Sequence, residues 1–218
     1  MTFGSLASFS TTGAAANILY SAPSSTFSEG KVYVVNMNSF PVRIRIGVIG
    51  TTNINDLLLS DYIVYNQDLG VGQRFISDNI FLKNDESIVI KSDLPDVKFS
   101  FRGSEVGVTT TTCGILTAFS PAQPTTIGAG ITAYVTPVSM VETDANLYVV
   151  NTSPDYINVN VGIGTTIGAN HYIVYNERVE PGKFFCKDDV KLGPGEIIFV
   201  KSTSTNVNVV ALGKTTHR

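Results

Sequence analysis

The sequence predicts an all-β protein made of two tandem, similar antiparallel β-sandwich domains of jelly-roll-like character. Three observations predict it. Apolar and polar residues alternate at period two in short stretches such as Val42-Arg-Ile-Arg-Ile46 and Val97-Lys-Phe-Ser-Phe101. That period puts aliphatic side chains on one face of a strand and polar ones on the other. Turn residues separate these stretches at short intervals, as sandwiches require. The third observation is an internal repeat. Residues 61–103 align with residues 171–213 without a gap, at an offset of 110, and 15 of those 43 positions are identical. Tyr62-Ile-Val-Tyr-Asn66 recurs unchanged as Tyr172-Ile-Val-Tyr-Asn176.

The earlier elements align as well. Gly4-Ser-Leu-Ala-Ser-Phe-Ser10 falls on Gly114-Ile-Leu-Thr-Ala-Phe-Ser120 at the same offset. Lys31-Val-Tyr-Val-Val-Asn36 falls on Asn146-Leu-Tyr-Val-Val-Asn151, offset by 115. The second copy therefore gains residues before 146 and loses them around 164–171, which places the length changes in loops. The first sandwich is expected over 1–105, a linker over 106–112 and the second sandwich over 113–218. Each copy is large enough to fold alone. Two copies of this length exclude a solenoid or propeller.

Within each copy the same slots carry the same roles. Ile157-Asn-Val-Asn-Val161 keeps the phase of Val42–Ile46, with Asn158 and Asn160 in place of Arg43 and Arg45. Ser87-Ile-Val-Ile-Lys91 and Ile197-Ile-Phe-Val-Lys201 are short apolar runs that suit central strands. Lys83-Asn-Asp-Glu86 and Gly193-Pro-Gly-Glu196 fit one tight turn; Leu69-Gly-Val-Gly72 and Val179-Glu-Pro-Gly182 fit another. Asn55–Ser60 suits one helical turn that the second copy lacks.

Composition narrows the function. Charged residues make up 15% against roughly 25% in an ordinary domain, and the net charge is −3. A broad basic surface for nucleic acid is not expected. No apolar run approaches the length of a membrane span. The first residues, MTFGSLASFS, lack the basic and apolar regions of a signal peptide, so a cytoplasmic site of assembly is expected.

Reactive chemistry is sparse. His171 stands where the first copy has Asp61, His217 lies near the end, and no GxSxG stretch accompanies either. Gly47-Val-Ile-Gly50 and Gly162-Ile-Gly164 lack phosphate-loop spacing and read as strand bends. Asp78 and Glu86 recur as Asp188 and Glu196, with Asp85 and Asp189 nearby. Such carboxylates can hold Ca²⁺, but no known loop spacing is present and turn caps explain them. Cys113 and Cys186 lack metal spacing and read as small buried side chains, a disulfide between them being the alternative. No catalytic residue, metal site or cofactor is expected. Trp is absent, so a sugar platform would fall to Tyr20, Tyr134 or Tyr156. Tyr20 and Tyr134 each precede a proline, Pro23 and Pro137, which favours a structural role.

The repeated strand is the candidate contact site. Tyr62 and Val64 point one way, Ile63 and Tyr65 the other, so both faces are apolar. One face enters the core; the other needs a cover, supplied by loops, the sister unit or another subunit. Tyr62, Tyr65, Tyr172 and Tyr175 are the residues expected at an inter-unit or subunit contact.

The order Asn17-Ile-Leu-Tyr-Ser-Ala-Pro23, Lys31-Val-Tyr-Val-Val-Asn36, Val42-Arg-Ile-Arg-Ile46 and Asp61-Tyr-Ile-Val-Tyr65 resembles small all-β modules in virion structural proteins of tailed phages, especially cyanophages. The second copy carries the later motifs in Leu147–Asn151, Tyr172–Tyr175 and Gly195-Glu-Ile-Ile-Phe-Val-Lys-Ser202, and departs early at Ala133-Tyr-Val-Thr-Pro137. The resemblance implies a place in a particle: capsid decoration or a tail or baseplate accessory. It implies other virion proteins and further copies of the chain as partners, and localisation in the virion after assembly in the host cytoplasm. The alternative expectation is a receptor- or carbohydrate-binding β-sandwich module.

Overall fold

A computed structural model describes residues 2–107, 111–119, 130–166 and 171–217. The first half contributes β1 (Thr2–Ser10), β2 (Asn17–Ser21), β3 (Thr26–Asn36), β4 (Val42–Ile49), β5 (Tyr62–Leu69), β6 (Arg74–Ile76), β7 (Ile80–Leu82), β8 (Ser87–Ser92) and β9 (Val97–Gly107). The second contributes β10 (Thr111–Phe119), β11 (Ile131–Val135), β12 (Met140–Asn151), β13 (Ile157–Gly164), β14 (Tyr172–Val179), β15 (Phe184–Leu192), β16 (Ile197–Ser202) and β17 (Val207–His217). The fold is almost entirely antiparallel β.

Among the described residues four sheets form, none shared between the halves. The first half has the orders β1-β9-β3-β6, with β7 also on β3, and β2-β8-β4-β5. The second has β10-β17-β12-β15 and β11-β16-β13-β14. The two sets coincide strand for strand once β15 takes the place of β6 and β7. Counting β6 and β7 as one, the orders are 1-8-3-6 and 2-7-4-5, the winding of an eight-stranded jelly roll. Asn55–Ser60 overlaps two short 3-10 turns, Ile54–Asp56 and Leu59–Asp61; residues 167–170 of the second half lie outside the described residues. β9 runs to Gly107 and β10 starts at Thr111, so strand pairing enters 106–112 from both sides, and 108–110 lie outside the described residues. Gly107 and Val106 extend that far because they pair with Thr26 and Phe27 on β3.

The alternating aliphatics meet between the sheets. Val32, Val34, Ile44, Ile46, Phe99 and Phe101 are buried in the first half, as are Leu147, Val149, Val159, Val161 and Val209 in the second. The repeated Val-Val-Asn ending has a polar reason. Asn36 donates to the carbonyls of Phe40 at 2.9 Å and Leu69 at 3.0 Å; Asn151 donates to those of Asp155 at 2.8 Å and Val179 at 3.0 Å. Each buried amide thus ties the end of β3 or β12 to the end of β5 or β14, and its own donors are satisfied by backbone carbonyls. No helix among the described residues is long and apolar enough to cross a membrane.

Candidate functional site

The two halves meet face to edge. The outer face of the β10-β17-β12-β15 sheet lies against β5, β7 and the Leu59–Asp61 turn of the first half. Tyr148, Val210 and Leu212 belong to the first half's own apolar cluster, with Phe184, Cys186 and Ile115 packed at its margin. Phe75 and Phe184 meet edge to face at 6.3 Å, an arrangement worth about 0.5–1.5 kcal/mol beyond area.

Polar contacts frame this apolar centre. Asn146 donates to the Asn79 carbonyl at 2.8 Å, and Asn208 to the Leu59 carbonyl at 2.7 Å. Lys183 reaches the Asn66 carbonyl at 3.2 Å and the Asp68 carboxylate. A further contact is at Glu86, whose side chain is fully buried. Its carboxylate accepts the Lys83 N–H at 3.0 Å and, across the halves, the Ile115 N–H at 3.1 Å. Burial pushes the Glu86 carboxyl above the usual range, while the hydrogen bonds from Lys83 and Ile115 and the Lys83 ammonium pull it back. Gly114, at φ +119°, lets the β10 backbone approach this carboxylate; a Cβ there would strike Glu86 and the Lys83 nitrogen.

The four tyrosines divide between the two ends. On β5, Tyr62 is buried and Tyr65 half-buried; their rings stand 5.7 Å apart, and the Arg45 guanidinium sits 4.3 Å from the Tyr65 ring centre. Burial raises the Tyr62 hydroxyl above its ordinary value, and Arg45 opposes the rise. On β14, Tyr172 packs on Phe199 at 5.7 Å, and Tyr175 is 75% exposed. The intervening residue shows the contrast most clearly: Ile63 is 0% exposed and Ile173 is 42% exposed. β5 runs beside β12, β15 and β17 of the other half. Asn66 and Asn176 adopt positive φ, 48° and 56°, which fixes the same bulge in both strands.

The other sequence candidates fall outside any reactive cluster. His171 is exposed, with Nδ1 3.3 Å from the Thr166 carbonyl; the side chain of His217 lies outside the described residues. Glu196 accepts the Gly193 N–H at 2.7 Å and caps its turn. Asp85 and Asp189 take positive φ in turns or bulges. Asp78, Asp188 and Asp189 share one cleft at the junction of the halves with Glu29 and Asp144. Among the described residues no group of three or more His, Cys, Asp and Glu is arranged to hold a metal ion. Cys186 is a free thiol, half-buried, and Cys113's side chain lies outside the described residues. Burial drives the Cys186 thiol far above its ordinary value, with the charge of Asp78 adding to it, which suppresses the reactive thiolate. Tyr20 and Tyr134 occupy equivalent places on β2 and β11, paired with Ile88 and Ile198. Tyr20 donates to Glu105, at 2.5 Å, inside the first half. Tyr156 is exposed, with the Arg178 guanidinium 4.2 Å from its ring centre.

One face went unnoticed in the sequence. The outer side of the β1-β9-β3-β6 sheet presents Tyr33, Val35 and Ile76, all exposed, inside a frame of Arg74, Lys98 and Arg102. The positions equivalent to Tyr33 and Val35 are Tyr148 and Val150, buried on the sheet that meets the first half. The missed signal was an outward apolar pair on a strand whose inward side already alternated correctly.

No protein-family model matches the chain, and no curated protein matches it. Solved structures resemble it at low similarity. The STIV MCP is 8% identical, covering 96% of this chain and 94% of that chain, with a TM-score of 0.34. The infectious bursal disease virus VP2 subviral particle is 9% identical, covering 100% and 73%, with a TM-score of 0.30. The PBSX exported protein XepA is 10% identical, covering 96% and 85%, with a TM-score of 0.28.

Proposed function

We propose that this protein is a non-enzymatic structural component of a tailed-phage particle, a capsid decoration or a tail or baseplate accessory, acting through protein–protein contacts. It is built from two tandem sandwich units, 1–105 and 113–218, joined by 106–112. Its partners are other virion proteins and further copies of the chain, and its place is the virion.

The observation that carries this reading is the use of sheet faces as contact surfaces. One outer face is already buried against the other half, and the equivalent outer face stands open with Tyr33, Val35 and Ile76 exposed. An exposed apolar group rimmed by charge is the composition of an interaction surface. The winding of the strands is one that recurs in viral capsid and lectin domains. The motifs resembling cyanophage structural modules narrow that choice.

Mass spectrometry of purified particles is the test. The protein is expected among their stoichiometric components; its absence from particles that carry its gene overturns the proposal. The alternative, a glycan-binding module, would use exposed Tyr156 and Tyr175 as stacking surfaces. Glycan binding abolished by Tyr156→Ala would favour that alternative.

A further inference from the structure

We propose that the chain assembles head to tail with further copies of itself into a closed ring. Each junction between chains repeats the contact that already joins the two halves. The inference goes beyond the particle role and does not rest on it.

The internal contact is one-sided. Tyr148 and Val150 are 1% and 0% exposed, whereas their counterparts Tyr33 and Val35 are 36% and 40% exposed. On the opposing edge, Ile63 is buried and its counterpart Ile173 is open. A two-fold relation between the halves would bury both counterparts alike, so that relation is excluded. Each chain therefore keeps one unused face, on the first half, and one unused edge, on the second. These two surfaces are the counterparts of surfaces that already fit each other.

The cleft at the junction fixes the kind of operator. Its volume is about 160 Å³, and equivalent residues from both halves line it: Glu29 with Asp144, Asp78 with Asp188, Asn79 with Asp189. A translation displaces every atom equally, whereas a rotation leaves atoms near its axis almost in place. Equivalent residues meeting in so small a cleft put the axis beside it, with little slide along it. A heterologous contact related by rotation without slide closes into a ring when its angle divides the circle, whereas rotation with slide winds into a filament.

The chemistry of the unused surfaces matches that of the used ones. Phe184 rests on Phe75 inside the chain; between chains, Arg74 of the next copy would rest on Phe185, a cation over a ring. Gly4 has the same φ of +119° as Gly114, and no described residue lies within 4 Å of where its Cβ would be. Its counterpart docks on Glu86, and the equivalent carboxylate is Glu196, half-buried on the unused edge. The open face carries Arg74, Lys98 and Arg102; at the end of the open edge strand Arg178 and Glu180 pair with each other at 2.9 Å, which leaves Glu177 as the carboxylate that can face the basic rim.

Light scattering on a sizing column tests this with two variants at exposed positions. The wild-type protein is expected at one discrete mass equal to two or more chains. Val35→Glu spoils the face and Ile173→Glu spoils the edge; each is expected at single-chain mass, with unchanged circular dichroism. Each variant keeps one good surface, so an equal mixture of the two is expected to give a species of two chains and nothing larger. A wild-type protein that stays at single-chain mass at its highest attainable concentration overturns the proposal. So does an assembly that survives both substitutions, or a mixture that shows no two-chain species. None of these outcomes depends on whether the protein resides in a particle.

Discussion

At the scale of single residues, Glu86 and Glu196 show how one letter acquires two roles. Both cap the same turn, but only Glu86 also receives the Ile115 N–H from the other half while almost fully buried. Glu86→Ala leaves the part-buried N–H groups of Lys83 and Ile115 without their acceptor and is expected to cost about 2–3 kcal/mol, against about 1 kcal/mol for Glu196→Ala. Urea unfolding of the two variants checks the ratio. A second prediction concerns alkaline pH. Burial raises the ionisation of Tyr148 and Cys186 well above their ordinary values. The folded state thus keeps protons that the unfolded state releases from about pH 8.5 for cysteine and about pH 10 for tyrosine. Their contribution is fully present below those values and is lost as pH rises beyond them, at up to about 1.4 kcal/mol per pH unit per group. Urea midpoints are expected to begin falling near pH 8.5, and Cys186→Ala is expected to delay the fall to about pH 10. An onset that does not move with this substitution contradicts the assignment.

At the scale of elements, β5 and β14 share five letters and differ in surroundings. Ile63 is buried and Ile173 is exposed. Ile63→Ser is expected to cost about 2–4 kcal/mol, and Ile173→Ser within about 0.5 kcal/mol, in the folding of the single chain. Equal effects on thermal or urea unfolding would contradict the face-to-edge contact. These strands also mark where the sequence stops being legible. Strand existence, phase and the shared turns followed from period two and turn chemistry, because those depend on neighbours within a few residues. The cover over β5 did not, since Tyr-Ile-Val-Tyr-Asn reads the same in both places. The missed signal lay in another strand: Val97-Lys-Phe-Ser-Phe-Arg102 alternates, whereas its counterpart Val207-Asn-Val-Val-Ala-Leu212 turns apolar at two of the three outward positions. Loss of alternation on one copy of a repeat marks the sheet whose outer face is also buried. The sparse acid, histidine and cysteine content was readable, but their placement was not, because loop carboxylates such as Asp78 and Asp188 converge only through the tertiary fold.

At the scale of the molecule, the two halves share an apolar cluster that includes Tyr148, Val210 and Leu212. Removing residues 1–107 would bare those side chains, so the second half alone is expected to aggregate or to unfold at a lower temperature than the whole chain. The intact chain is expected to melt in one calorimetric transition with matching calorimetric and van't Hoff enthalpies. Two separated transitions would mean that the halves are joined by the chain alone. The proposed role requires the open sheet face of the first half to touch another protein. Cross-linking mass spectrometry on purified particles tests it most directly, because Lys98 lies exposed on the open face beside Val35 and Tyr33. Cross-links are expected from Lys98 to a second copy of the chain or to another particle protein. Particles in which Lys98 links only to residues of its own chain, or which lack the protein, would contradict it.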